Sequence, residues 1–124
     1  MKINGVDFVF YPVSDYDRSV TFYRDALGLE MGIEKKGTYA EFSAGNVTLM
    51  IGTYGEPPKE GRQQGGAIVA FAVDDVAKAI AELKARNVPV TMETAEYPPC
   101  FMAMVKDPDG NEIMLHHRKD GTVG

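Results

Sequence analysis

A chain of 124 residues, 44% hydrophobic and 25% charged, has room for one folded domain with a real core. Its formal net charge of -5 sets it against nucleic acid and anionic membrane surfaces, which are negative themselves. Met1-Lys2-Ile3-Asn4-Gly5 lacks the apolar core of a signal peptide, the longest apolar run (67–73) is far short of a membrane span, and Cys100 is the only cysteine; these point to no membrane partner, no intrachain disulfide and a reducing cytoplasm.

Val6 to Val13 is rich in aromatic and β-branched residues and is expected as a strand. Ser14 and Asp15 supply capping oxygens, the apolar stripe Tyr16, Val20, Tyr23 and Leu27 has helical spacing, and Gly28 is a natural stop. Two strands, Thr38 to Phe42 and Val47 to Ile51, flank a Gly45-Asn46 turn. The polar, proline-containing stretch 56–64 is expected to be a linker. Ile68 to Val73 begins a second series, with Asp74 and Asp75 before the helical stripe Val76, Ile80 and Leu83. Val88 to Met92, Cys100 to Val105 and Glu112 to His116 complete it, the last two joined by Asp107-Pro108-Asp109-Gly110, which suits a type I turn.

The two series overlie. A shift of sixty pairs Phe8 with Ile68, Val13 with Val73, Asp15 with Asp75, and one helical stripe with the other. A shift of sixty-five brings Gly45-Asn46 onto Gly110-Asn111 and Leu49 onto Met114. Half a sheet buries little alone, which is the physical reason for a duplication.

Val13-Ser14-Asp15, Arg18-Ser19, Phe22-Tyr23-Arg24 and Leu27-Gly28-Leu29, with Asp107-Pro108-Asp109-Gly110-Asn111 before the last strand, form a recognisable set. With the doubled pattern, the chain resembles the vicinal oxygen chelate superfamily (glyoxalase, bleomycin-resistance and extradiol dioxygenase proteins) from about Val6 to His117. The resemblance implies an α+β fold of tandem βαβββ modules, about 1–55 and about 65–118, in a single domain over 1–124 whose curled mixed sheet encloses a cleft. It also implies metal ligands on the first and last strand of each module, typically His, Gln or Glu. Carried across, those positions fall at Phe8, Leu49, Ile68 and Met114. Zinc, nickel, manganese and iron require nitrogen, oxygen or thiolate donors at about 2.0–2.3 Å. Phenyl and aliphatic groups offer none, and a lone thioether suits only soft copper. No metal and no other cofactor is therefore expected there, and the chain is similar to the metal-free, bleomycin-resistance type.

Strand alternation assigns further cleft residues. Phe10 shares a face with Phe8, Ile51 with Leu49, Ala70 with Ile68, and His116 with Met114; Tyr39 and Glu41 face inward if Phe42 packs under a helix. On 100–105 the parity stays open: either Met102 and Met104 face in, or Phe101, Ala103 and Val105 do. The candidate ligand-binding set takes Met102. His116, Glu41 and Tyr39 are the weak acid-base candidates, each with an ordinary solvated or structural role as its alternative. The expected function is binding or sequestering an amphipathic small molecule in an apolar cleft. The alternative is a lyase or isomerase acting on a carbonyl compound through these non-standard groups. The resemblance further implies a homodimer, since related clefts are commonly built by two chains.

Overall fold

In the computed structural model, which describes Lys2, Asn4 and residues 6–55 and 68–124, the first strand, β1, is Phe8–Pro12. Asp15 then caps α1 (Tyr16–Thr21), its carboxylate accepting the Arg18 backbone N–H at 3.1 Å. The helix runs on through one π-helical turn, Phe22–Ala26. It ends where Gly28 takes φ +72°, a left-handed conformation that glycine adopts without steric cost. Strands β2 (Glu30–Lys35), β3 (Tyr39–Ser43) and β4 (Thr48–Gly52) follow.

The second series is β5 (Val69–Ala72), α2 (Val76–Ala85), β6 (Val90–Glu96), β7 (Cys100–Lys106) and β8 (Glu112–Arg118). Asp75 caps α2 on the Lys78 N–H at 3.0 Å, repeating Asp15. Two compact units result, Met1–Pro57 and Pro58–Gly124. Each holds one open four-stranded mixed sheet, β1-β4-β3-β2 in the first and β5-β8-β7-β6 in the second. In both, the first strand runs parallel to the last and the remaining pairs are antiparallel. The same order twice is the duplication in three dimensions. β2 is an element that the sequence pattern alone does not announce. The expected linker, 56–64, lies outside the described residues.

In the first unit the core lies between the helix and one face of the sheet. Tyr11, Ala40, Phe42, Leu49 and Ile51 are all buried there. Tyr23, from the π-helical turn, stacks on Tyr11 at 6.4 Å between centroids and leans on Phe42 at 5.9 Å. Burying each such large side chain contributes about 1.5–3 kcal/mol. Tyr16 is buried on the same helix and donates its hydroxyl hydrogen bond to Glu34.

In the second unit Val76, Ile80 and Leu83 of α2 are buried, and the sheet contributes Ala103, Val105, Ile113 and Leu115. The β7–β8 turn is held by a buried carboxylate. Asp107 Oδ1 accepts the backbone N–H groups of Asp109 (2.9 Å) and Asn111 (2.8 Å), and Oδ2 accepts the Asn111 side-chain amide at 2.8 Å.

Candidate functional site

Directly opposed residues on neighbouring strands point to the same side of a sheet. In the first unit Phe8, Phe10 and Pro12 oppose Thr48, Met50 and Gly52. These in turn oppose Ser43, Glu41 and Tyr39. All lie on the face away from the helix, and all but Gly52 are half-buried or exposed, Phe8 to 53%. Phe10 and Tyr54 approach at 6.2 Å between ring centroids. They do so across Gly52, where an added Cβ would stand 2.9 Å from the Tyr54 ring and 3.1 Å from the Phe10 ring. At the end of this sheet lies a depression of about 510 Å³, lined by Asp7, Glu30, Glu41, Ser43, Asn46 and Thr48 among others, with no lysine or arginine in its wall among the described residues.

Two expected members of the site are corrected by this register. Leu49 and Ile51 oppose Val9 and Tyr11 on one side and Phe42 and Ala40 on the other. They are 1% and 0% exposed, under the helix. The strand-four residue that faces outward beside Phe10 is Met50. A one-residue slip exchanges the two faces of a strand, and here it changes the repeat as well. Phe10 opposes Met50 as Ala70 opposes Met114, so Met50, not Leu49, is the partner of Met114.

In the second unit the open face is settled where the sequence left a choice. Met102 opposes His116 and Met104 opposes Met114, while Ala103 and Val105 oppose the buried Leu115 and Ile113. Ala70 and Ala72 oppose Met114 and His116, so they share the open face. Ile68 directly precedes β5 and is 38% exposed. Met92 opposes Met104, a placement not foreseen from sequence. His117 is engaged structurally: its Nδ1 lies 3.0 Å from the Val73 carbonyl and donates to it.

Tyr39 and Glu41, two of the three acid-base candidates, are thus neighbours on one unit's open face; His116 belongs to the other unit. Burial first, and then the hydrogen bond to Glu34, push the Tyr16 hydroxyl up to about 12 from 10.0.

The positions at which the resemblance implies metal ligands carry Phe8, Met50 (in place of Leu49), Ile68 and Met114. Two hydrocarbons and two thioethers do not fit zinc, nickel, manganese or iron. Among the described residues, no three His, Cys, Asp or Glu side chains gather closely enough to hold an ion. No helix among them is long and apolar enough to cross a membrane.

Residues 5–115 match the family model of the Glyoxalase/Bleomycin resistance protein/Dioxygenase superfamily. The chain is 30% identical over 116 residues to the uncharacterized protein YraH of Bacillus subtilis (strain 168), covering 84% of this chain and 91% of YraH. It is also 30% identical over 73 residues to the metallothiol transferase FosB of Staphylococcus haemolyticus, a match that spans 59% of this chain and about half (52%) of FosB. Among solved structures, TnmS3, an antibiotic binding protein from Streptomyces sp. CB03234, superposes with a TM-score of 0.76 at 25% identity, over 96% of this chain and 99% of that one.

Proposed function

The chain belongs to the glyoxalase/bleomycin resistance protein/dioxygenase superfamily, and we propose that it is a small-molecule-binding member that works without zinc, nickel, manganese or iron. The observation that carries this reading is the set of side chains at the implied ligand positions. Phe8, Met50, Ile68 and Met114 offer apolar and polarizable surface where a metal enzyme needs charge-donating atoms. Without a Lewis acid, enediolate stabilisation and oxygen activation lose their main source of charge compensation. The likeness to an antibiotic binding protein supports the same reading.

The ligand we infer is amphipathic and positively charged. Phe10, Tyr54 and Met50 provide apolar and aromatic area. Asp7, Glu30 and Glu41 line the adjoining depression, with no basic side chain in its wall among the described residues, which favours a cation. Tyr39 and Glu41 serve as orienting groups rather than as acid and base. A homodimer in a reducing compartment belongs to this proposal; a monomer in light scattering at micromolar concentration removes the dimer.

Berberine, a planar cationic fluorophore, tests the binding reading. The expected result is saturable binding in the micromolar range, weakened about tenfold by Phe10→Ala, and weakened also by Glu41→Gln. No saturable binding, or binding by both variants as tight as by the unaltered chain, overturns it. Turnover of the methylglyoxal–glutathione hemithioacetal on addition of nickel or zinc overturns the metal-independent part.

A further inference from the structure

The second unit concentrates thioethers in a way that ligand-cleft lining alone does not require. Met92, Met104 and Met114 stand side by side on β6, β7 and β8, each directly opposite the next. The following row on the same face holds Met102 opposite His116. Directly opposed side chains start about 4.5–5.5 Å apart at Cβ, and diagonal neighbours about 7–8 Å. Unbranched methionines close those gaps readily. All five side chains are half-buried, so the sulfurs are shielded yet reachable. Ala70 and Ala72 border both rows on the β5 side with almost no volume of their own.

From this juxtaposition we propose that the open face of the second sheet binds a soft monovalent metal ion, Cu(I), through the thioethers of Met104 and Met114, with Met102 and the His116 imidazole completing a four-donor site and Met92 flanking it. Thioether sulfur selects Cu(I) over zinc, nickel, manganese and iron, and imidazole is a compatible second donor type. Met114 stands at a position where the resemblance implies a metal ligand, and it offers a soft donor there. His116 is available for this role. His117 is committed to the Val73 carbonyl, whereas the His116 ring has no hydrogen-bond partner among the described residues. The inference goes beyond the organic-ligand reading and does not depend on it.

Cys100 is the competing soft donor, because it lies on the same strand and is buried. The experiment therefore starts from a Cys100→Ala chain, titrated anaerobically with Cu(I) against bicinchoninate. Withdrawal of one Cu(I) per chain is expected, with affinity falling at least tenfold when Met104→Leu and Met114→Leu are added. These exchanges conserve volume and cost under about 1.5 kcal/mol in a packed site, and far-UV circular dichroism checks the fold. A second measurement uses the unaltered chain. Silver(I), a redox-inert stand-in, should shift the methyl NMR signals of Met104 and Met114 and leave Met31 in place. Equal Cu(I) withdrawal with and without the two leucines overturns the proposal. So does binding that vanishes with Cys100→Ala, or a silver response no larger at Met104 and Met114 than at Met31.

Discussion

The open faces of the two sheets occupy the same places in the same topology, yet their chemistry differs row by row. Where the first has Phe10, Met50 and Glu41, the second has Ala70, Met114 and Met104. Where the first has Pro12, Gly52 and Tyr39, the second has Ala72, His116 and Met102. One face is aromatic and acidic, the other small and sulfur-rich. The faces turned toward the helices diverge far less: Leu49 and Ile51 correspond to Ile113 and Leu115, all buried. Duplication fixed the packing side of each sheet because a core tolerates few volumes. The outward side was free to change its chemistry, and it carries the proposed ligand site.

The largest expected effect tests this division directly. Leu49→Ala and Ile113→Ala should each destabilise by about 2–5 kcal/mol, the cost of a cavity in a packed core. Met50→Ala and Met114→Ala, one residue along each strand, should cost clearly less. Urea denaturation compares the four, and equal losses would erase the distinction between the two faces.

Next in size is an asymmetry between the turns. Asp107→Ala should cost about 2–3 kcal/mol, since it leaves buried donors of Asn111 without their acceptor. The corresponding turn in the first unit is closed by the backbone bond from the Ala44 N–H to the Val47 carbonyl at 3.0 Å, so Asn46→Ala should be close to neutral. The same denaturation series reads both.

The smallest effect is confined to high pH. Tyr16 corresponds to Val76 in the repeat, so only the first unit carries the raised hydroxyl. Its folded value of about 12 exceeds the ordinary 10.0, so the folded chain holds this proton more tightly than the unfolded one. The resulting stabilisation is complete below pH 10 and is lost as pH rises toward 12. Tyr16→Phe should flatten the fall of stability with pH across that window, followed by thermal melts at stepped pH. An unchanged slope would mean that the hydroxyl is not held as described.

Much of the fold is legible in the residues, because both helices announce themselves by an aspartate cap and an apolar stripe. The family resemblance is also carried by contiguous motifs. β2 escapes this logic. Glu30-Met31-Gly32-Ile33-Glu34-Lys35 is mostly exposed and poor in strand formers. It is extended because β3 supplies its ladder, with a bulge between Met31 and Glu34. The site is less legible, for a related reason. Thr48 to Ile51 and Phe101 to Val105 are apolar on both faces, so alternation gives a period without a phase. Only the packing of Tyr23 on Phe42, and the pairing of Met102 with His116, fix which side is which. The Met50–Met114 equivalence was present in the sequence at a shift of sixty-four, one residue from the shift that aligns the turns. Strand parity places Phe8, Phe10, Tyr39 and Glu41 on the open face of the first sheet, and Ala70, Met114 and His116 on that of the second.

Gly52 gives this divergence a direction in time. The rings of Phe10 and Tyr54 have closed over its bare Cα, at the place where the other copy displays an imidazole. Gly52→His alone would drive a new side chain into space those rings already hold. The aromatic positions would have to yield first. Accommodating the new side chain requires the Phe10 and Tyr54 rings to swing aside and give up their contact with each other. Steric dependence of this kind ratchets duplicated halves apart, so each copy commits to its own chemistry even while their shared topology persists.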